Sequence, residues 1–237
     1  MKNRRHTWIL AIYWLALALS AVFLYFDLPY VVATESLLVP LLLCYVLLGD
    51  ERMGKPTGKF VFYIGLLFAF AGDVLQVVIN NDLFFIASLV AFMLMNIFYA
   101  ISFYCIHKPG KIFWICLLIL AAFSFVFISL QESELGDYKW PLIIYMITVS
   151  CMIALAINVS SDILWRRIAQ RSLTPGAVIF LFQNIVLALN LFHFHLGNRG
   201  YVISIIPYGI AQYLLAMGVL KIYTPSRVPR ARSSSPE

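Results

Sequence analysis

Apolar runs long enough to cross a lipid bilayer recur along this chain. They occupy residues 8–26, 30–48, 60–79, 83–106, 112–130, 141–159, 175–196 and 201–222. A helix of about 20 residues spans the roughly 30 Å hydrocarbon layer. The connections between runs are short, so no separate soluble domain fits between them. Hydrophobic residues make up 62% of the chain and charged residues 12%, half the charge of a soluble domain, which carries roughly 25%. The expected fold is all-α: a polytopic bundle of eight transmembrane helices. A single integral membrane domain should cover 1–223, followed by a disordered, basic, Pro-rich cytoplasmic tail over 224–237. Such a tail is suited to graze anionic lipid.

The first run follows Lys2, Arg4 and Arg5, as a signal peptide would. Its roughly 19 apolar residues exceed the roughly 7–15 of a signal core, so it reads as a retained helix. Fifteen of the 17 Lys and Arg residues fall at the N-terminus, in the connections 49–59, 107–111 and 160–174, and from Lys221 onward. Only Lys139 and Arg199 lie on the other side. The positive-inside rule then puts both termini in the cytoplasm, with a bacterial inner membrane as the expected location. The net charge of +6 follows from this asymmetry and implies no nucleic acid partner.

Turn chemistry agrees with the joints. Lys108-Pro109-Gly110-Lys111 reads as a tight turn. Pro141 and Pro175 open helices where a missing N–H is harmless, and Thr174 suits an N-cap. Cys44, Cys105, Cys116 and Cys151 lie in apolar segments and read as small hydrophobes in packed helices.

Several patterns imitate chemistry. Gly49 to Pro56 nearly matches a phosphate-binding loop, but Pro56 stands where a hydroxyl should bind magnesium, and a membrane helix precedes it. His193 and His195 are two apart and should point to different helix faces, so no metal site is expected. Asn158-Val159-Ser160 is a glycosylation sequon on the expected cytoplasmic side. No Lys lies deep in a run, which excludes a retinal Schiff base.

Asp73 stands apart. It interrupts the apolar run 60–79, and a carboxyl at membrane depth costs several kcal/mol by most estimates. About 13 residues, hence about 20 Å, separate it from the start of its run. Gln76 and Asn80 share its face. Other polar residues within runs are Glu35, Asn96, Tyr99, Tyr145, Thr148, Gln183, Asn184, Asn190, Tyr208 and Gln212. Polar groups in hydrocarbon should converge inside the bundle. Asn96, Asn184 and Gln212 come out near mid-depth and Glu35 near the outer end of its helix. A common cavity shared by Asp73, Asn96, Asn184 and Gln212, reaching toward the outer leaflet, is therefore expected.

Five segments in order carry a family likeness: Gly72-Asp73-Val74-Leu75; Ala91-Phe92 through Asn96 to Tyr99; Pro141 to Tyr145 with Met152; Gly176-Ala177, Phe180 and Gln183-Asn184; and Tyr208 with Ala211-Gln212. Together they resemble the YhhN-like, or lysoplasmalogenase, family of membrane proteins. Three positions depart from that pattern: Thr34-Glu35-Ser36 replaces Thr-Lys-Pro, Asn96 replaces a His, and Gln183-Asn184 replaces Ser-Asp.

The resemblance implies a hydrolase of the lysoplasmalogen vinyl ether bond, releasing a fatty aldehyde and a glycerophospho-base, with no cofactor and no metal. Protonation of the vinyl carbon makes an oxocarbenium ion, which water traps as a hemiacetal. A carboxyl removed from water favours its neutral form, so Asp73 is the candidate catalytic acid, and once ionised it would stabilise the cation. Glu35, Asn96, Tyr99, Tyr145, Gln183, Asn184, Tyr208 and Gln212 form the group that would position substrate and water. The expected partners are a lysophospholipid or other membrane lipid and the bilayer itself. Two other readings stay open: a catalytically altered or inactive member that binds lipid, and a proton-coupled transporter of a lipid or small molecule using Glu35 and Asp73. Broken helices in paired positions would favour the transporter, and only Pro40 and Pro207 offer weak candidates for such breaks.

Overall fold

A computed structural model describes residues 2–49, 57–77 and 82–224. The expected basic tail beyond 224, Asn80 and the near phosphate-loop stretch 50–56 lie outside the described residues. The described residues are mostly helical: α1 (Lys2–Tyr25), α2 (Val31–Gly49), α3 (Thr57–Val77), α4 (Asp82–Ile106), α5 (Lys111–Leu135), α6 (Lys139–Asn158), α7 (Thr174–Leu189) and α8 (Asn198–Tyr223). Among the described residues, seven continuous helical stretches are long and apolar enough to cross a membrane. One of them, Lys111–Ser161, runs for 51 residues. It contains both α5 and α6, which pack against each other across a 3-10 turn at Gly136–Tyr138. Gly136 takes a positive φ of 48° at this reversal, a conformation that glycine reaches without a Cβ clash. The eight expected spans thus appear as seven unbroken stretches, because the turn between the fifth and sixth is itself helical.

The bundle is organised around α8, which packs against α1, α2, α3 and α7. Close approach is made possible by small residues. A Cβ on Gly65 would lie 2.5 Å from the Tyr99 ring, and one on Gly72 would lie 2.6 Å from the Phe92 ring. Both pairs are seven residues apart on antiparallel neighbours, so α3 and α4 seat aromatic rings against bare backbone along two turns. At the other extreme, α5 leaves Leu118, Phe125 and Leu130 about three-quarters exposed, as a lipid-facing helix should.

Some local expectations are corrected. Thr174 is not an N-cap. Helix runs on from Arg166 through a widened π turn at Ala169–Leu173 into α7, and the Thr174 hydroxyl is buried without a hydrogen-bond partner. The widening has a cause: the Pro175 ring would clash with the carbonyl four residues earlier in a regular helix and has no N–H to offer it. Pro40 and Pro207 lie inside continuous α2 and α8, so the helix breaks that would suit a transporter do not occur there. Cys44 and Cys105 are exposed on the bundle's outer surface, not packed within it.

The connections sort into two ends. At one end, Asn158 is fully buried. It donates from Nδ2 to the Lys108 carbonyl at 2.9 Å and accepts from the Gly110 N–H at 3.2 Å. The sequon residue is therefore a clamp between two connections. His107 bridges Asp162 and Ser161 beside it, and Gly58 meets Tyr223 and Cys105. The described parts of the basic connections thus gather at this end. At the opposite end, the α1–α2 connection meets the start of α8, where Asn198 Nδ2 donates to Asp27 Oδ1 at 2.8 Å.

Candidate functional site

A cavity of about 320 Å³ opens at that opposite end, between the α1–α2 connection and helices α2, α3, α4, α6, α7 and α8. Asp27 and Asn198 form part of its rim, and Asp73 and Tyr208 lie far below. Tyr208 is ten residues beyond Asn198 in α8, so the floor is about 15 Å down the helix axis. The walls are apolar, with Leu24, Val32, Phe92, Phe180, Leu187 and Ile205 facing inward. The polar lining is concentrated in Glu35, Asp73, Gln76, Tyr145, Gln183 and Tyr208.

Asp73 reaches this place because α3 is pinned to α4 at Gly72, the preceding residue. Its side chain is only 2% exposed. The Tyr208 hydroxyl donates to Oδ1 at 2.7 Å, while Oδ2 has no hydrogen-bond partner. Glu35, half-buried one turn into α2, shares the cavity and lies near enough to interact electrostatically with Asp73. Below the rim the site therefore holds two carboxyl groups of different character. One is sealed and half-satisfied at the floor, and one is partly open to the space above it.

The expectation of a cavity shared by Asp73, Asn96, Asn184 and Gln212 is corrected. Of these four, only Asp73 lines it. The others lie outside its lining, together with Tyr99: Asn96, Tyr99 and Gln212 are buried and Asn184 is half-buried. The Tyr99 hydroxyl donates to Gln212 Oε1 at 2.8 Å, and Gln212 Nε2 contacts Met95 sulfur at 3.4 Å. The Tyr145 hydroxyl, whose ring does line the cavity, donates to Asn184 Oδ1 at 2.5 Å, and Asn184 Nδ2 donates back to the Phe180 carbonyl at 2.7 Å. Asn96 is fully buried beside the Tyr145 hydroxyl, yet neither atom of its amide makes a well-formed hydrogen bond. Helical rise gives depth from sequence alone. Rotation of each helix about its axis relative to its neighbours decides which side chains see the cavity, and that is a property of the packed bundle. Glu35, Tyr145, Gln183 and Tyr208 of the expected positioning group do line it.

Asp27, Asn198, Tyr201 and Ser204 line the cavity as well and were not among the expected site residues. Asp27 and Asn198 sit outside the apolar runs, 171 positions apart, so no local pattern pairs them. The positive φ of 56° at Asp27 fits an Asp in a turn, where Asp reaches this region more readily than most residues. His193 and His195 are exposed and line no part of the cavity; the helix ends at Phe194 between them, through a π turn over Asn190–Phe194. Among the described residues, no group of three or more His, Cys, Asp or Glu is placed to hold a metal ion.

No curated protein and no solved structure matches this chain. The YhhN family does, over residues 30–219. The match runs from the start of α2 to near the end of α8 and takes in Glu35, Asp73 and Tyr208, while leaving out Asp27 and all of α1. On this evidence the chain is an integral membrane protein that belongs to the YhhN family.

Proposed function

We propose that the protein is a membrane hydrolase that cleaves the vinyl ether bond of a lysoplasmalogen-like lipid, with Asp73 as the general acid. The observation that carries this reading is the asymmetry at Asp73. Tyr208 occupies Oδ1 as a donor, so a proton carried by Asp73 rests on the unpaired Oδ2. That proton is transferred to the vinyl carbon distal to the ether oxygen, and the electron pair of the double bond forms the new C–H bond. The adjacent carbon becomes an oxocarbenium centre facing the carboxylate just formed, which stabilises it. Water then attacks that carbon. Glu35, partly open to the cavity and close to Asp73, orients the water and accepts its proton. The resulting hemiacetal collapses to a fatty aldehyde and a glycerophospho-base. The apolar walls take the alkyl chain, and the amides behind them hold the Tyr99 and Tyr145 rings in place. The lipid enters from the bilayer, the termini lie in the cytoplasm, and the cavity opens away from it.

Purified protein in neutral detergent, supplied with a lysoplasmalogen and a coupled aldehyde reductase, tests the reaction. Aldehyde released above the protein-free rate supports it. Folded protein that releases none refutes it and leaves a lipid-binding family member.

A further inference from the structure

Ile163 and Leu164 are the two most exposed large apolar side chains among the described residues, at 85% and 79%. They do not lie on the lipid-facing side of a span. They stand in the turn 162–165, between the helical stretches that end at Ser161 and begin at Arg166. The turn is fastened on both sides of the pair. The Leu164 N–H donates to Asp162 Oδ1 at 2.8 Å, the side-chain bond of an Asx turn. Asp162 Oδ2 meets His107 Nδ1 at 3.3 Å, and His107 Nε2 lies 3.1 Å from the Ser161 hydroxyl, which donates to the Asn158 carbonyl at 2.6 Å. On the other side, Trp165 turns back and packs on the core. Ile163 and Leu164 are thus held out by a braced turn.

Cations surround the pair. Arg166, Arg167 and Arg171 are exposed, and Arg166 Nε donates to the Ser160 carbonyl at 3.4 Å. Lys108 and Lys111, also exposed, belong to the connection that Asn158 fastens to this end. The connection 160–174 carries one acid, Asp162, and that acid faces His107. Helix length sets the depth of the cluster. The continuous stretch Arg166–Phe194 has 29 residues, about 40 Å of helix against a hydrocarbon layer of about 30 Å. Its ends therefore reach into the head-group layers, and the end at this side begins with the three arginines.

We infer that the connection 162–171 docks on anionic phospholipid of the leaflet at the basic end, with Ile163 and Leu164 entering the acyl boundary and Arg166, Arg167 and Arg171 holding lipid phosphates. Aliphatic side chains at this level gain by leaving water for the acyl boundary. Guanidinium groups pair with phosphate oxygens through forked N–H donors, and a negative surface attracts each of them. A zwitterionic leaflet offers the same apolar boundary without the net charge, so the arginines set the preference for anionic lipid. The docking lies at the end of the bundle opposite the cavity and holds whether or not the protein is a hydrolase.

Two measurements on purified full-length protein test it. In nanodiscs of phosphatidylglycerol and phosphatidylcholine, Leu164→Trp adds one emitter to the five native Trp. The added emission, taken against unaltered protein, should be quenched by lipids brominated high on the acyl chain and shielded from aqueous iodide. In non-ionic detergent with equal amounts of the two lipids, native mass spectrometry should show phosphatidylglycerol retained in preference to phosphatidylcholine. Arg166→Gln, Arg167→Gln and Arg171→Gln together should cut that preference by about tenfold or more, since each cation at an anionic surface contributes about a factor of five. Quenching by iodide and not by brominated chains overturns the inference and leaves the pair to a soluble partner or a second copy of the chain. Equal retention of the two lipids by unaltered protein overturns it, as does an undiminished preference in the triple variant. If the triple variant fails to fold, the three single substitutions decide, each expected to lower the preference.

Discussion

Replacing Asp73 with Asn and, separately, Tyr208 with Phe separates chemistry from architecture at the cavity floor. Asp73→Asn keeps an oxygen at the Oδ1 position, where the Tyr208 hydroxyl donates at 2.7 Å. It places an amide nitrogen where Oδ2 already lacks a partner. The shape and the one hydrogen bond survive, and a neutral group replaces an ionisable one, so stability should hold or rise. What is lost is the proton, since a side-chain amide does not protonate carbon. General acid catalysis contributes about 10²–10⁴-fold, equivalent to about 3–5 kcal/mol of barrier, and activity should fall by that factor. Tyr208→Phe does the reverse. It leaves the acid in place but strips Asp73 of its donor, so that both carboxyl oxygens are buried and unpaired. Stability should drop by about 1–3 kcal/mol, while aldehyde release persists at a reduced rate. Both variants are assayed in parallel for aldehyde release from lysoplasmalogen and for unfolding by heat or SDS in micelles. Full hydrolysis by Asp73→Asn protein would remove Asp73 from the mechanism. Equal stability of all three proteins would show that the Tyr208 contact contributes nothing to the fold.

Three further outcomes are expected. Gln212→Leu should destabilise by about 1–3 kcal/mol, because it leaves the fully buried Tyr99 hydroxyl without its acceptor; unfolding in micelles measures this, and an unchanged midpoint contradicts it. Gly72→Ala puts a methyl 2.6 Å from the Phe92 ring. That overpacking costs about 1–3 kcal/mol, and because Phe92 lines the cavity, aldehyde release should fall with stability. Reporter fusions after Glu237 and within 131–140 should report opposite sides of the membrane, the former cytoplasmic; the same side for both would overturn the assigned orientation.

Much of the architecture was legible because membrane crossing is a local requirement. A run of apolar residues of the right length must be helical in hydrocarbon, whatever its neighbours are, and Lys and Arg placement was enough to group the connections into two sets. Among the described residues the structure brings parts of the basic set together at one end, where Asn158 clamps Lys108 and Gly110. The weight placed on Asp73 came from the same local energetics, since no partner elsewhere makes a carboxyl cheap enough to be incidental. Local signals failed where two elements had to be considered together. Thr174 looks like a cap only if Arg166 to Leu173 is not already helix, and Pro175 is accommodated by widening a turn that sequence places in a connection.

The sequence by itself determined that the chain is a bundle of apolar helices with a buried acid on the third, and that Glu35, Tyr145, Gln183 and Tyr208 are polar where polarity is expensive. Tertiary structure decided which of those groups meet. Asn96, Tyr99, Asn184 and Gln212 stay out of the cavity lining, because the angle at which each helix faces its neighbours is set by interlocking contacts such as Gly65 with Tyr99 and Gly72 with Phe92. The rim, too, belongs to the fold alone. Asp27 and Asn198 lie outside the apolar runs and 171 residues apart; they become neighbours only when α1 and α2 close against α8, since the partner of a residue at a helix end depends on where the packed helices deliver their ends.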